Sequence, residues 1–179
     1  MEIITPQYTI EKVLQMEQKS YIFFWSHRPS PTITKTCFSQ WFNRPFTIDG
    51  FTYKCAEQYM MAQKAKLFND EEIFERILQA STPETMKSLG RQVKNFDYKV
   101  WSQYKFGIVV AGNLAKFSQN DDLKAFLLGT GDKILVEASP YDNVWGIHMR
   151  GTDPRAKDPS LWEGENLLGF ALMQVRDML

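Results

Sequence analysis

The stretch from Cys55 to Phe68 constrains this chain most, because it predicts one uninterrupted helix that carries charges among apolar residues. It contains no Gly or Pro, and its Ala, Met, Gln, Lys, Glu and Leu residues favour helix. At helical spacing, Glu57, Met61 and Lys64 fall on one side. A charge is costly to bury unless it is paired or used. A fold built around this helix must therefore accommodate a carboxylate and an ammonium.

Glu57 and Lys64 are two helical turns apart, roughly 10 Å along the axis at about 1.5 Å per residue. That spacing is too long for an ordinary i, i+4 ion pair. We therefore expect both side chains to reach into one cleft from different heights. Two simpler interpretations stay open: Glu57 complements the positive end of the helix dipole, and Lys64 and Lys66 are ordinary solvated lysines.

The length and the net charge of the chain limit the classes of protein to which it can belong. The chain has 179 residues, which favours one domain with a self-sufficient core. It carries 21 basic and 21 acidic residues, whereas general nucleic-acid binders usually have a basic excess, so that role is disfavoured. A small phosphorylated substrate needs only a local basic patch. Aromatic residues make up 14% of the chain and serve either the core or a pocket for flat rings.

Cysteine and histidine usage predicts a reduced, cytoplasmic protein without metal or cofactor. Cys37 and Cys55 are too few for a disulfide scaffold, and with His27 and His148 they show no zinc-ligand spacing. The N-terminal residues lack a signal-peptide pattern, and no segment approaches the roughly 20 apolar residues of a membrane span. The sequence leaves the oligomeric state open.

Local patterns predict strands early in the chain and again late. Residues 21–25 are β-branched and aromatic, residues 36–42 are expected to be extended, and residues 134–138 form a buried strand. Asp49-Gly50 between two short apolar runs is the strongest hairpin signal that a sequence offers.

Helices fill most of the remaining chain. They are predicted over residues 10–16, 55–68, 71–79, 83–90, 98–117, 123–128 and 167–178. This order indicates an α+β fold: a mostly helical single domain with a small sheet that includes the early hairpin. We expect residues 1–20 to be an N-terminal extension and residues 21–179 to be the domain. The irregular stretch 139–165 is long for a compact domain, and such loops are often functional.

Two groups of candidate site residues each have a structural alternative. Trp25, Ser39 and Trp41 lie beside turns, where aromatic side chains either join the core or wall a ring-binding pocket. Arg91 and Lys116 end helices, where they complement the helix dipole or clamp a phosphate.

A third group follows the late strand. Asp142 lies three residues before Trp145, and Gly146 allows the backbone to approach a ligand closely. Asp142 is either part of the chemistry or a simple turn residue.

These features form one ordered series that resembles a known family. The series comprises Phe24-Trp25-Ser26, Phe38-Ser39, Asp49-Gly50, Ala56-Glu57-Gln58-Tyr59-Met60 through Lys64, Leu89-Gly90-Arg91, Ala115-Lys116-Phe117, Leu135-Val136-Glu137, Asp142 with Trp145-Gly146, and Leu168-Gly169 with Leu172-Met173 to Arg176. It is similar to the YbiA-like, or NADAR, family of N-glycosidases and ADP-ribose-linked proteins, over about residue 21 to the C-terminus. Two details depart from the family pattern. Gln40 follows Phe38-Ser39 where Asn is frequent, and Ile147-His148 follows Trp-Gly where a small polar or Gly pair is common.

The resemblance implies a small α+β domain without metal that hydrolyses an N-glycosidic bond to a ribosyl group. In the YbiA-like branch the substrates are 5-phosphoribosylamino-pyrimidines of the early riboflavin pathway, which yield ribose 5-phosphate and a free pyrimidine. Other branches act on ADP-ribose attached to guanine. The implied site residues are Glu57, Lys64, Asp142 and Trp145, with Arg91 and Lys116 as phosphate contacts.

The chemistry suggests roles for these residues. Breaking a ribosyl C–N bond builds positive charge on the sugar, which a nearby carboxylate stabilises. We assign this role to Glu57, supported by Asp142. Lys64 either donates a proton to the departing amine or attacks the anomeric carbon as an amine of lowered pKa. Trp25 and Trp145 are expected to stack on the base.

Two other functions are compatible with the sequence. An ADP-ribosyl hydrolase would need room for a second phosphate and an adenosine, which the 150–157 loop is placed to line. A non-catalytic nucleotide-binding module would bind tightly and release no product.

Overall fold

Local sequence signals account for most of the helices and strands. The computed structural model describes residues 3–17 and 19–179; Met1, Glu2 and Gln18 of the predicted extension lie outside the described residues. The helices are α1 (Ile10–Leu14), α2 (Ala56–Leu67), α3 (Glu71–Gln79), α4 (Pro83–Gly90), α5 (Tyr98–Ser118), α6 (Asp121–Leu128) and α7 (Leu167–Met178). The strands are β1 (Tyr21–Phe24), β2 (Phe46–Ile48), β3 (Phe51–Tyr53) and β4 (Ile134–Glu137). The described part of the chain is thus α+β and mostly helical, as predicted.

Three helices begin where their capping residues predict. The side chains of Asp70, Thr82 and Asp97 accept hydrogen bonds from main-chain N–H groups in the first turns of α3, α4 and α5. These bonds satisfy donors that have no partner inside the helix. Pro83 follows Thr82 at the first helical position, where its missing N–H does no harm.

The predicted hairpin is confirmed. Strands β2 and β3 pair antiparallel, with Phe46 opposite Tyr53. Asp49 and Gly50 both have positive φ, 51° and 79°, which is the conformation that a two-residue hairpin turn requires.

The expectation of extended chain over residues 36–42 is wrong. Lys35–Phe38 forms a 3₁₀ helix, because the Thr34 side chain caps it by accepting from Thr36 N. Cys37 and Phe38 are fully buried by this turn. β-branched and aromatic residues are typical of strands, but here the local Thr cap and burial outweigh that preference.

The first of two compact units contains Gln40–Asn120 together with residues 3–5. Helix α2 lies at its centre and packs against α3, α4 and α5, so α2 is buried on nearly every side. Two glycines allow this close packing. A Cβ at Gly90 on α4 would lie 2.0 Å from Met61 Sδ, and one at Gly112 on α5 would lie 2.6 Å from Tyr59 Cδ1.

The second unit contains Pro6–Ser39 and Asp121–Leu179. Strands β1 and β4 pair in parallel, and α7 packs on β4. Asn166 fixes the start of α7: its Nδ2 donates to Leu135 O at 3.0 Å and its Oδ1 accepts from Glu137 N at 2.9 Å. A Cβ at Gly169 would lie 2.1 Å from Leu135 O, so the helix approaches the strand closely only because this residue is glycine.

The 139–165 loop is ordered by its own hydrogen bonds. It contains 3₁₀ turns at Pro154–Lys157 and Pro159–Leu161. Near its end, Glu165 N donates to Asn143 O at 3.0 Å. Among the described helices, none combines the length and apolar character needed to cross a membrane.

Candidate active site

Glu57 lies in the first turn of α2 and is buried, with 3% of its surface exposed. Its main-chain N–H donates to Gln40 O at 2.9 Å, and its Oε1 is shielded from solvent. Because α2 is enclosed by its neighbours, Glu57 is shielded from solvent, and its position in the first turn also allows it to complement the positive end of the helix dipole. A carboxylate at this depth needs a compensating charge or a function.

Lys116 is a second buried charge, with 0% of its surface exposed. Its Nζ lies 5.5 Å from the centre of the Phe42 ring and 5.3 Å from that of Phe117. One turn earlier on α5, Asn113 Nδ2 donates to Gln40 Oε1 at 2.8 Å. Gln40 thereby connects the start of α2 with the α5 face that carries Lys116.

Both buried charges, Glu57 and Lys116, affect the pKa of the Cys55 thiol. Burial is the main cause that raises the pKa of Cys55, Glu57 raises it further, and Lys116 lowers it. Glu57 and Lys116 therefore lie within electrostatic range of the same sulfur. Opposite charges placed in this way offset the cost of burying each other. Because its pKa is raised, the Cys55 thiol stays neutral and is a poor nucleophile.

Lys64 lies in the last turn of α2 and is half-buried. Its Nζ donates to Gly90 O at 2.8 Å and lies 4.1 Å from the centre of the Phe96 ring. Burial, and then the Arg91 guanidinium, lower the pKa of Lys64. Within residues 3–17 and 19–179, no carboxylate forms an ion pair with Lys64 or Arg91. Two neighbouring cations, one of which lies over aromatic rings, form a site suited to an anion.

The two cations proposed as phosphate contacts lie at opposite ends of α2. Lys116 is close to Cys55 at the N-terminal end, and Arg91 is close to Lys64 at the C-terminal end. Cys55 and Lys64 are nine positions apart in the chain, roughly 13 Å along the helix at about 1.5 Å per residue. The structure therefore groups Glu57 with Lys116, and Lys64 with Arg91.

Trp41 and Ser39 are both half-buried. The amine of Lys87 lies 5.8 Å from the centre of the Trp41 ring. Ser39 ends the 3₁₀ helix, and its N–H donates to Thr36 O. The predicted contacts of Trp41 and Ser39 with substrate are not tested by these positions and stay predictions.

Asp142 organises the segment that follows β4. Its Oδ1 accepts from Val144 N at 2.9 Å and from Trp145 N at 2.7 Å. Gly146 is buried, and a Cβ there would lie 2.8 Å from Glu137 O. Asp142 thus orients the backbone of Trp145, and Gly146 packs the loop closely against β4. A role of either residue toward substrate stays a prediction.

Sequence reasoning missed Tyr141. The structure pairs its ring with that of Trp25: the centroids are 5.9 Å apart and the planes are inclined by 56°. Both rings are exposed, 45% for Trp25 and 77% for Tyr141. The available signal was an aromatic residue between Pro140 and Asp142, in the loop that follows the late strand.

A cavity of about 430 Å³ adjoins the long loop. Its lining residues are Pro140, His148, Met149, Arg150, Thr152, Asp153, Pro154 and Arg155. Arg155 bonds Asp153 Oδ2 at 2.9 Å and Glu163 Oε1 at 2.8 Å, so two carboxylates neutralise it. Among the described side chains, no group of His, Cys, Asp and Glu is arranged to hold a metal ion.

The chain is similar to proteins of known class. It is 43% identical over 167 residues to N-glycosidase R617 of Acanthamoeba polyphaga mimivirus, covering 90% of this chain and 98% of that relative. It is 33% identical over 142 residues to N-glycosidase YbiA of Escherichia coli K12, covering 79% of this chain and 78% of the relative. The NMR structure of E. coli YbiA superposes with a TM-score of 0.72 at 30% identity, covering 94% of this chain and 90% of that one.

These similarities define an enzyme, an N-glycosidase with a YbiA-like fold. The chain belongs to the NADAR family, whose domain model matches residues 23–179.

Proposed function

We propose that this N-glycosidase hydrolyses the C–N bond between ribose 5-phosphate and the pyrimidine of early riboflavin-pathway intermediates. The observation that carries the proposal is the buried Glu57 carboxylate at the start of α2, with Lys116 in electrostatic range of the same thiol. The relatives named YbiA and R617 support the class of bond that is cleaved.

Glu57 is proposed to stabilise the positive charge that develops on the sugar as the bond breaks. A carboxylate shielded from water acts more strongly on such a charge than a solvated one. Lys116 contributes a buried positive charge to the same region. Asp142 is proposed to contribute a second carboxylate to the chemistry, and its contacts to Val144 and Trp145 support a fixed position for it.

Arg91 is proposed to hold the 5′-phosphate through its fork of donors, with Lys64 beside it. Lys64 has one of two roles in the reaction. As an acid, it gives its proton to the departing pyrimidine amine. As a nucleophile, its neutral amine bonds to the anomeric carbon while the C–N electrons leave with the pyrimidine, whose amine takes up the proton that the lysine nitrogen loses. The ring C–O bond of the resulting glycosylamine then opens to give an imine, which water hydrolyses to the free sugar and Lys64.

The direct test is incubation of the purified protein with a panel of N-ribosyl compounds, followed by mass-spectrometric detection of released ribose 5-phosphate. We expect release from the phosphoribosylamino-pyrimidines, and little release by a Glu57→Gln variant. Equal release by both proteins would remove Glu57 from the chemistry, and absence of release from every compound would reject the proposed substrate.

Borohydride trapping separates the two roles of Lys64. If the covalent route operates, reduction in the presence of substrate adds one ribosyl phosphate mass to Lys64. An unmodified protein after complete turnover would favour proton donation.

One observation favours a second candidate function, an ADP-ribosyl hydrolase. The cavity of about 430 Å³ is within the usual range of ligand sites, and the exposed Arg150 lines it. A competition assay with ribose 5-phosphate and ADP-ribose distinguishes the candidates, because only the second predicts tighter binding of ADP-ribose. Arg150→Ala should weaken ADP-ribose binding alone if this cavity holds the second phosphate.

A further inference from the structure

Lys105 is a buried lysine of α5, with 7% of its surface exposed. Its Nζ lies 5.9 Å from the centre of the Tyr98 ring, which is 62% exposed, so a buried stem leads to an amine beside a surface ring. In the part of the chain that the structure describes, this amine forms no ion pair with a carboxylate and donates no hydrogen bond. Lysine is almost never buried to this extent without a partner, so the Lys105 amine suits an anion that binds to the protein.

Lys105 and Lys64 reach the same segment of chain from two different helices. Lys64 Nζ lies 4.1 Å from the centre of the Phe96 ring, which is also exposed. Phe96 and Tyr98 are two positions apart, so their Cα atoms are at most about 7.6 Å apart at about 3.8 Å per residue. Both amines therefore lie at the segment that begins α5.

Trp101 connects the two lysines. Lys64 Nζ lies 5.7 Å from the centre of the Trp101 ring, and Lys105 follows Trp101 by one helical turn, a spacing at which side chains are neighbours. Because Tyr98 precedes Lys105 by seven residues, the Lys105 side chain runs back toward the start of α5, along the face that carries Trp101. Arg91 is the third cation, close enough to Lys64 to lower its pKa, and all of these residues belong to the first compact unit.

We propose that Lys105 is a further phosphate-binding residue, which holds the 5′-phosphate of the substrate together with Arg91 and Lys64; this assignment rests on the proposed function. A phosphate monoester carries about −1.5 to −2 charges at pH 7, more than one guanidinium neutralises. Lys64 is not a permanent partner, because it is deprotonated at one stage in either of the roles proposed for it. Lys105 takes no part in that chemistry, so its positive charge stays available throughout the reaction.

The charges around Lys105 favour a small anion. The acidic residue next to Tyr98 in the chain is Asp97, whose Oδ1 caps α5 by accepting from Lys99 N at 2.7 Å and from Val100 N at 3.2 Å. Three cations with one carboxylate that is engaged in capping leave a net positive charge at this place. The whole chain has 21 basic and 21 acidic residues, so this local excess suits a phosphate group and not a nucleic acid.

The test measures binding of ribose 5-phosphate by calorimetry to the wild type, Lys105→Met and a control, Lys99→Met. Lys99 is an exposed lysine of the same helix, so the control loses the same charge. We expect Lys105→Met to lose roughly ten- to a hundredfold in affinity, the range for a hydrogen bond to a charged group, and Lys99→Met to bind like the wild type.

Thermal melting checks the fold of each variant. Met has nearly the length of Lys and no charge, so Lys105→Met should melt at or above the wild-type temperature, because a buried charge without an opposite charge is removed. Should Lys105→Met melt below the assay temperature, Lys105→Gln takes its place in the same comparison.

Three results would overturn the role of Lys105: no binding of ribose 5-phosphate by the wild type, equal affinity of the wild type and Lys105→Met, or an equal loss in Lys99→Met. The last would assign the effect to the general field of the helix and not to a contact.

The phosphate contact and the proposed function fail in different ways. Binding of ribose 5-phosphate that depends on Lys105, without its release from any N-ribosyl compound, would reject the proposed substrate and support the contact. Hydrolysis of the phosphoribosyl substrate with an unchanged KM in Lys105→Met would overturn the contact and leave the proposed reaction standing.

Discussion

Lys64 Nζ donates a hydrogen bond of 2.8 Å to the main-chain oxygen of Gly90, and this contact joins the last turn of α2 to the end of α4. The same glycine accommodates Met61, whose Sδ a Cβ at Gly90 would approach to 2.0 Å. Gly90 therefore serves two residues of α2 at once: it admits an apolar side chain and orients a cation. Arg91 follows directly, which brings the second cation to the same place.

The first prediction concerns the ionisation of Lys64. Burial and Arg91 lower the pKa of Lys64 below 10.5, whereas Glu72 raises the pKa of Lys94 above it. Carbon-13 NMR of dimethylated lysines should show the two midpoints on opposite sides of 10.5. A Lys64→Arg variant assigns the signal, and a Lys64 midpoint at or above that of Lys94 would contradict the prediction.

The shift of Lys64 has a consequence for stability with a definite sign. Between the lowered pKa in the folded protein and 10.5 in the unfolded chain, the unfolded chain binds more protons at this residue. The free energy of unfolding therefore gains a term that rises with pH across this window. Urea denaturation at several pH values should show a smaller rise in Lys64→Met than in the wild type.

The second prediction concerns the two buried charges. Glu57→Gln should lower kcat by about 10² or more, the contribution typical of a positioned acid or base. It also removes a negative charge that offsets the cost of burying Lys116, so stability should fall. In the double variant Glu57→Gln/Lys116→Met, stability should recover in part, by a coupling of about 0.5–3 kcal/mol, while activity stays low. Strict additivity of the unfolding free energies would show that the two charges do not interact.

The third prediction assigns Arg91 to the phosphate. Arg91→Ala should raise KM for a phosphorylated substrate and leave a dephosphorylated analogue nearly unaffected, because only the former loses a charge-assisted contact. Steady-state kinetics on both compounds checks this, with the exposed Arg76→Ala, on α3, as the control. Equal losses on the two compounds would reject a phosphate role.

The fourth prediction separates two roles of Asp142. Asn retains the oxygen that accepts from Val144 and Trp145, whereas Ala removes it. We expect Asp142→Asn to melt close to the wild type but to lose about 10² in kcat, since the carboxylate charge is gone. Asp142→Ala should in addition lose about 1–2 kcal/mol of stability. A fully active Asp142→Asn would make Asp142 a turn residue only.

How far the sequence predicts this molecule depends on whether the decisive interaction is local. The Asp49-Gly50 hairpin and the helix starts after Asp70 and Thr82 are correct because each rests on contacts within a few residues. Residues 36–42 were mistaken for extended chain because a Thr cap outweighed strand preference.

The candidate site shows the same difference between local interactions and contacts that arise from packing. The sequence identifies Glu57 and Lys116 as candidates, but their shared environment around Cys55 arises from packing of α2 against α5. The pairing of β1 with β4 likewise joins residues more than a hundred positions apart, and it brings Tyr141 to Trp25. No local pattern carries that information, which is why Tyr141 was missed.

The last prediction concerns Gly169, where α7 touches β4. In an open helix, Gly→Ala stabilises by about 1 kcal/mol through helix propensity. Here the new Cβ would lie 2.1 Å from Leu135 O and 2.6 Å from both Asn166 Nδ2 and Oδ1. Those atoms cannot retreat easily, since Asn166 bonds Leu135 O and Glu137 N. Overpacking typically costs about 1–3 kcal/mol or more, so the clash should outweigh the propensity gain.

Urea denaturation of Gly169→Ala should therefore show a lower midpoint at an unchanged slope, corresponding to a net loss of about 2 kcal/mol. Met178→Ala, at the exposed end of the same helix, provides the control and should stay within about 0.5 kcal/mol of the wild type. The Asn166 side chain bonds the main chain of β4 at Leu135 and Glu137, so Asn166→Ala should destabilise the same junction. A Gly169→Ala protein as stable as the wild type would mean that α7 can move away from β4 without cost.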